Sequence, residues 1–452
     1  MDLPILNKEV VENKTGKQKE LPVKVIQFGT GVLLRGLPDY FICKANQQGI
    51  FNGKIVVIKS TDKGDVSEFE QQNALFTHCV RGIIDGKNID TCFINNAIEC
   101  VLSAKESWPV IVAMAQSPQV EIIISNTTEA GLVLDKNDRL QNSVPSSFPG
   151  KLLLLLLERW KFFDGDVTKG WVILPTELVP DNGNLLREIV VELAKANQLP
   201  NHFIEWLMAA NEFCNTLVDR IVPGKLNEEE LKIMSDKLGY QDNLLISSEP
   251  FALWAIEARR PTSIEKLSFS HVDESVVIAP SIVKFRDLKL RLLNGTHTFC
   301  CAVALLSGFE TVIEAMRDAA FTNFIQNLLN KELIPALVSE SITHAEATKF
   351  ANSVIERFSN QFIQHQWSSI AMNFEDKMKM RNSFLIERYS KNSKTPSKFM
   401  SLGFAAFCIY MKKHHHKTID MNDYFDDSIF TSQVRSAIDE INANGMKNCL
   451  AI

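Results

Sequence analysis

Along the first half of the chain, short runs of apolar, often β-branched residues alternate with longer stretches whose apolar positions recur at helical spacing. Residues 23 to 28, VKVIQF, form one such run and lead at once into Gly29, Thr30 and Gly31 and then VLLRGLPDYF, the pattern of strand, tight turn and helix start. A second run, Ile55 to Ile58, follows about one helix length later, as a right-handed βαβ crossover requires. The third, Ile122 to Ile124, ends in small hydroxyl residues and a glycine, and the fourth begins at Trp171 in WVILPTELV after the helix-like KLLLLLLERWKFF. Strands alternating with helices predict an α/β Rossmann-type N-terminal domain with a mainly parallel sheet and ligands at the carboxyl ends of its strands. Past about residue 280, stretches such as LKLRLLNGTHTFCCAVALL and AEATKFANSVIERFSNQF space apolar residues by 3 and 4, which predicts an all-α C-terminal domain. The boundary falls near Val276 to Ser281, so the expected domains are residues 1–278 and 279–452.

Composition narrows the class. With 452 residues, 45% hydrophobic and 23% charged, the chain can bury two cores, and its net charge of −6 with no basic face argues against nucleic acid as a partner. The longest aliphatic run, Leu152 to Leu157, is far short of the roughly 20 residues a bilayer span needs, so no membrane segment is expected. The first twenty residues have neither the apolar core of a secretory signal nor the Arg-rich amphipathic pattern of a transit peptide, which predicts a cytoplasmic location. Nine cysteines without a CxxC pair fit reduced thiols.

Gly29-x-Gly31 between strand and helix suits a dinucleotide pyrophosphate, because glycines let the backbone approach phosphates and a helix start offers unpaired N–H groups. The third glycine of the usual fingerprint is displaced to Gly36, and Arg35 follows the turn instead, so the turn alone also fits a plain strand-to-helix connection. The second strand ends Lys59-Ser60-Thr61-Asp62, where Asp62 would bind the ribose hydroxyls of NAD while Lys59 would attract the extra phosphate of NADP; NAD is the preferred reading. Asn126, Thr127 and Thr128 end the third strand where a nicotinamide ribose or ring amide is expected, though a helix cap uses the same residue types.

Lys289, Asn294 and His297 sit among leucines at the start of the helical half, and buried polar groups need partners or a purpose. On an α-helix Asn294 and His297 share a face, and Lys289 lies about 80° from His297 around the axis. Such a set can reduce a ketone: lysine supplies the proton, an asparagine N–H stabilises the oxyanion, and histidine holds the substrate. A snorkelling lysine, a polar helix face and one satisfied core histidine would give the same letters. His414, His415 and His416 lie in a lysine-flanked run that reads as a solvated helix end, and no metal site is expected. HExxH motifs and Cys/His quartets are missing from the sequence, which leaves hydrolase readings without a site.

The spacing K-xxxx-N-xx-H with the GxGxxxR turn, together with SNTTEAG, GWVILPTELVPDNG, FCNTLVDRIVPG, LLNGTHT and RFSNQFIQHQ, resembles the polyol-specific long-chain dehydrogenase/reductase family, the mannitol dehydrogenase group, and within it a uronate-reducing subgroup. That resemblance covers most of the chain. It implies a metal-independent, NAD-dependent enzyme acting on a small keto sugar acid, with Lys289 as acid/base assisted by Asn294 and His297. It also implies substrate contacts from Asp219 of the VDRI string, from Arg357 of RFSN and from His365, while Arg357, His365 and Lys284, in that order, are candidates for the substrate carboxylate. Polyol-oxidising members commonly carry a second oxyanion asparagine after the fourth strand. Here Leu178 stands at that point and cannot donate a hydrogen bond, which leaves Asn294 as the one oxyanion amide expected, with Asn182 a turn residue. Fructuronate or mannitol-type activity is the alternative within the chemistry, and a nucleotide-sensing Rossmann protein the alternative without turnover.

Overall fold

The computed structural model describes residues 3–15, 19–60, 66–127, 131–140, 144–224, 226–393 and 395–450. Its strands, in chain order, are β1 (Val23–Phe28), β2 (Lys54–Lys59), β3 (Phe76–Ile84), β4 (Lys87–Asn95), β5 (Ile98–Ser103), β6 (Ile122–Ser125), β7 (Val172–Pro175), β8 (Glu212–Phe213), β9 (Thr216–Asp219), β10 (Ile246–Ser248), β11 (Leu253–Glu257) and β12 (Val276–Ala279). A six-stranded sheet has the order β5-β2-β1-β6-β7-β8, and each neighbouring pair in it is parallel. All four strands read from the sequence lie side by side at its centre.

Pleat alternation decides which side each residue buries. Ile122 and Ile124 of β6 pack with Val25, Ile55 and Leu174 on one face, whereas Ile123 packs with Ile26, Phe28 and Ile173 on the other, and all of these are at most 1% exposed. With each such side chain worth about 1.5–3 kcal/mol, covering both faces makes this sheet the nucleus of the N-terminal half. The leucine run is the helix Phe148–Phe162, capped by Ser147 Oγ accepting from the Gly150 N–H at 2.9 Å. Buried Arg159 on that helix donates to the carbonyls of Ala115, Ser117 and Val120 at 2.7, 2.9 and 3.1 Å, tying the end of one helix to the segment that leads into β6.

The smaller sheets, β10-β3-β4 and β12-β11-β9, were not anticipated from the sequence. Asp85 and Gly86 both have positive φ, 50° and 71°, which makes a two-residue hairpin turn between β3 and β4. Counting back from Ile84 and Lys87, that turn puts Cys79 directly opposite Cys92, and their sulfurs are joined, with the Cα atoms 4.1 Å apart. The expectation of reduced thiols therefore fails for these two cysteines; seven others are free.

Two compact units emerge, Met1–Val80 with Asp90–Ile282 and Arg81–Ile89 with Val283–Ile452. The hairpin tip thus belongs to the second unit, where Asp85 and Gly86 donate their N–H groups to the Glu356 carboxylate at 3.2 and 2.7 Å, and Asn360 Nδ2 donates to the Arg81 carbonyl at 3.0 Å. This unit is otherwise helical, built around the buried helix Gly295–Leu306. Gly403, in the helix Lys398–His415, lies against it: a Cβ there would come within 3.0 Å of the Phe299 carbonyl oxygen, so glycine permits the close crossing. Two segments, Leu288–Asn294 and Leu328–Leu333, are π-helical. His414, His415 and His416 are exposed at the end of the helix Lys398–His415, with the His414 ring stacked on Tyr410 at 4.6 Å. Among the described residues, no helix is long and apolar enough to cross a membrane.

Thiol titration of denatured protein checks the hairpin register. Seven thiols are expected before reduction and nine after it; nine before reduction would refute the pairing.

Candidate active site

In the first unit, the carboxyl ends of β1, β6 and β7 are laced together. Gly29 ends β1 with φ +122°, donates its N–H to the Ile58 carbonyl at 3.1 Å, and has so little room that a Cβ would come within 2.9 Å of the Asn126 carbonyl oxygen. Gly31 is different. It is exposed, a Cβ there would meet nothing within 4 Å, and no side chain caps the helix start that follows, so the backbone at this turn faces open space. Half-buried Thr30 lies between the two glycines. A tight turn with an uncovered backbone at the end of a central strand fits a phosphate-bearing dinucleotide.

Asn126 donates Nδ2 to the Thr176 carbonyl and hydroxyl, both at 3.0 Å, while Thr127 donates its N–H and hydroxyl to one Glu177 oxygen at 2.8 and 3.0 Å. Ser125 Oγ donates to the other Glu177 oxygen at 3.2 Å. Burial pushes the Glu177 carboxyl up from the usual range against the pull of these donors. Sequence reading passed over Glu177 as one letter of a departure from the family pattern; here it is the knot joining two strand ends. Asn182 is likewise more than a turn residue: its buried amide donates to the Pro175, Glu177 and Thr216 carbonyls at 3.1, 3.0 and 3.2 Å and accepts from the Thr216 N–H at 2.9 Å. Leu178 is 60% exposed.

The remaining candidates in this unit are scattered. Arg35 is buried, with its guanidinium over Phe69 and Phe76 and Nη1 donating to the Leu244 carbonyl, so it is committed to the packing behind the turn and not to its open side. Asp219 is buried at the end of β9, opposite Leu253 of β11. Its neighbour Arg220 donates to the Gly36 and Glu249 carbonyls at 2.7 and 3.0 Å and lies over the Tyr40 ring. Asp62 and Thr128 lie outside the described residues.

In the second unit, the π-helical segment changes how Lys289, Asn294 and His297 relate. On an α-helix, residues five apart would diverge by about 140°. Here the bonding runs five residues back, as the Gly295 N–H to the Leu290 carbonyl shows, so Lys289 and Asn294 stack along one face, and His297 follows three residues on in the α-helix Gly295–Leu306. Lys289 and Asn294 are half-buried. His297 is buried, its ring 4.0 Å from that of Phe358, 5.3 Å from His365 and 5.9 Å from Trp367, and its Nδ1 has no partner. Burial, then the charges of His365, Arg357, Arg381 and Lys377, hold its pKa well below the ordinary 6.5. Burial also lowers His365, with Lys377 adding to the effect.

Arg357, buried in the last turn of the helix His344–Phe358, and His365 both lie close enough to His297 to act on its ring. Lys284 does not join them, because it is paired with Glu346 at 2.9 Å and holds that carboxyl down to about 2. Lys377 and Arg381, by contrast, were missed. Their run, EDKMKMR, reads as a solvated charged face, and nothing in its spacing signals otherwise.

Family models for the mannitol dehydrogenase Rossmann domain and the mannitol dehydrogenase C-terminal domain match residues 23–267 and 281–448. The chain belongs to the mannitol dehydrogenase family. As a member it is an oxidoreductase acting on CH–OH groups, a polyol-type dehydrogenase with a Rossmann domain for a nicotinamide cofactor. Similar relatives include altronate oxidoreductases of Halalkalibacterium halodurans, 37% identical over 88% of this chain and 76% of that protein, and of Bacillus subtilis, 36% identical over 92% and 84%. The fold is shared with a D-sorbitol dehydrogenase in substrate-free form (TM-score 0.78, 20% identity, 99% and 100% of the two chains) and with Pseudomonas fluorescens mannitol 2-dehydrogenase in complex with NAD and D-mannitol (TM-score 0.68, 18% identity, 99% and 98%).

The surroundings of His297 predict a neutral ring. A histidine with a depressed folded pKa binds fewer protons than the unfolded chain below 6.5, so its contribution to stability is present above that pH and is lost as pH falls toward the folded value. Imidazole NMR signals assigned through His297→Asn are expected to stay in the neutral form from about pH 8 down to about pH 6. A midpoint near 6.5 would contradict the assigned environment.

Proposed function

We propose that this enzyme interconverts D-tagaturonate and D-altronate with NAD(H), without a metal. The observation that carries the substrate assignment is the agreement of relatives at 33–37% identity, all named altronate oxidoreductase. Gly29, Thr30 and Gly31 would receive the pyrophosphate, with Arg35 stiffening the turn from behind; Asp62 would take the ribose hydroxyls; Asn126, Thr127 and Thr128 would border the nicotinamide. The bound dihydronicotinamide supplies a hydride to the keto carbon.

As the carbonyl electron pair moves to oxygen, Lys289 gives that oxygen a proton from Nζ and is restored from solvent. Asn294 donates its amide N–H to the same oxygen, where charge develops in the transition state. The stacking of Lys289 and Asn294 along one π-helical face supports this division of work, since both must reach a single atom. His297, kept neutral first by burial and then by its cationic neighbours, orients the substrate by hydrogen bonding and does not carry the proton. Arg357, His365 and Asp219 would take sugar hydroxyls. In altronate oxidation the same steps reverse, and Lys289 acts as base.

Turnover of NADH with tagaturonate, fructuronate and fructose tests the substrate, and activity confined to fructose would defeat the sugar-acid reading. Lys289→Ala is expected to lower kcat by about 10²–10⁴-fold and Asn294→Ala by about 10²–10³-fold, both with NADH affinity kept. Dialysis against a chelator should leave the rate unchanged. Gly29→Ala should do the opposite of the lysine variant, weakening NADH binding in a fluorescence titration because the strained, crowded turn must open. Equal NADH affinity in wild type and Gly29→Ala would remove the turn from the cofactor site.

A further inference from the structure

The helix Phe374–Asn392 carries Lys377 and Arg381 one turn apart, hence on one face. Like charges at that spacing repel, and neither has a carboxylate partner among the described residues. Lys377 Nζ donates to the Ile370 carbonyl at 3.0 Å, Arg381 Nη1 donates to Thr298 Oγ1 at 3.1 Å, and the acid nearest in sequence to be paired, Glu375, is held by Lys417 at 2.5 Å. Arg381 Nε is buried without a partner. Burial lowers the pKa of both cations, and the Arg381 charge adds to the effect at Lys377. Both side chains are half-buried, and two neighbouring positive charges partly withdrawn from water without a carboxylate favour an anion that arrives to meet them.

Their position says which anion. Thr298 Oγ1, which accepts from Arg381, itself donates to the Asn294 carbonyl at 2.8 Å, so two hydrogen bonds tie the guanidinium to the residue assigned to the reacting oxygen. Both cations also act on His297 in the same helix. With Nη1 occupied by threonine and Nε buried, Nη2 of Arg381 is left to donate to a carboxylate oxygen. Lys284 is withdrawn from this role by Glu346.

We propose that Arg381, supported by Lys377, binds the carboxylate of the substrate and thereby selects keto sugar acids over neutral ketoses. The inference rests on the sugar-acid reading above and adds the residue that enforces it. Arg381→Gln removes the charge at similar size; Arg381→Lys keeps the charge and loses the guanidinium's directed N–H donors. NADH oxidation is followed with a keto sugar acid and with the ketose bearing CH2OH in place of the carboxylate.

Arg381→Gln is expected to raise KM for the acid about 10- to 100-fold with kcat within about threefold, and Arg381→Lys to recover part of that loss, as fits hydrogen bonds to a charged group. Where the ketose is turned over, its KM should move by no more than about twofold, because no charge is lost from its contacts. An unchanged KM for the acid, a fall in kcat alone, or equal losses on acid and ketose would each overturn the assignment. Should Arg381→Gln fail to fold by thermal melting, Arg381→Lys carries the comparison, with an acid-specific rise in KM expected and a uniform change contrary. Wild type that reduces the acid while Arg381 variants keep its KM defeats this inference alone. Wild type that reduces only the ketose defeats the sugar-acid reading, and this inference with it.

Discussion

Both faces of the six-stranded sheet are buried, and from that constraint most of the N-terminal architecture follows. A parallel sheet covered on two sides exposes no face on which a polar ligand could rest, so main-chain groups without partners appear only where strands end. At the carboxyl ends of β1, β6 and β7 those groups are not left to solvent. Glu177 and Asn182 take up N–H groups, hydroxyls and carbonyls from neighbouring strand ends, fixing them against one another. Against this lattice Gly29 turns with no space for a side chain, and Gly31 next to it stays open. Rigidity behind the turn and emptiness in front of it are products of the same packing.

In the helical unit, the decisive local feature is a change of hydrogen-bond register. An α-helix continued through Leu288–Asn294 would carry Lys289 and Asn294 to different sides of the axis; the π turn lines them up before the helix resumes at Gly295. The buried apolar side chains Leu288, Leu292 and Leu293 hold that segment against the core around Phe299. Packing thus supports a helix irregularity that exposed residues would not keep.

Charge distribution completes the picture. The chain as a whole is acidic, yet His297 lies among Arg357, His365, Lys377 and Arg381. Burial does most to keep that imidazole neutral; the local excess of positive charge adds to it and favours an anionic ligand, so the same set of residues bears on both protonation and selectivity. Net charge describes solubility and long-range steering; it says nothing of a cluster formed inside one folded unit.

The sequence alone determined what depends on short-range pattern. Short unbroken apolar runs bounded by turn residues located the four central strands, apolar spacing of three and four located the helical half, and ordered motifs carried the family. Even the hairpin register, and hence the Cys79–Cys92 pair, was present in Asp85-Gly86 for a reader counting back from the turn. Tertiary structure alone decided the rest. Glu177 and Asn182 act through partners far along the chain, Lys284 is taken up by Glu346, and Arg381 meets Thr298 across 83 residues. Spacing along a chain fixes which side of a helix or strand a residue occupies; whether its charge is then neutralised, buried or left waiting depends on which distant segment folds against it.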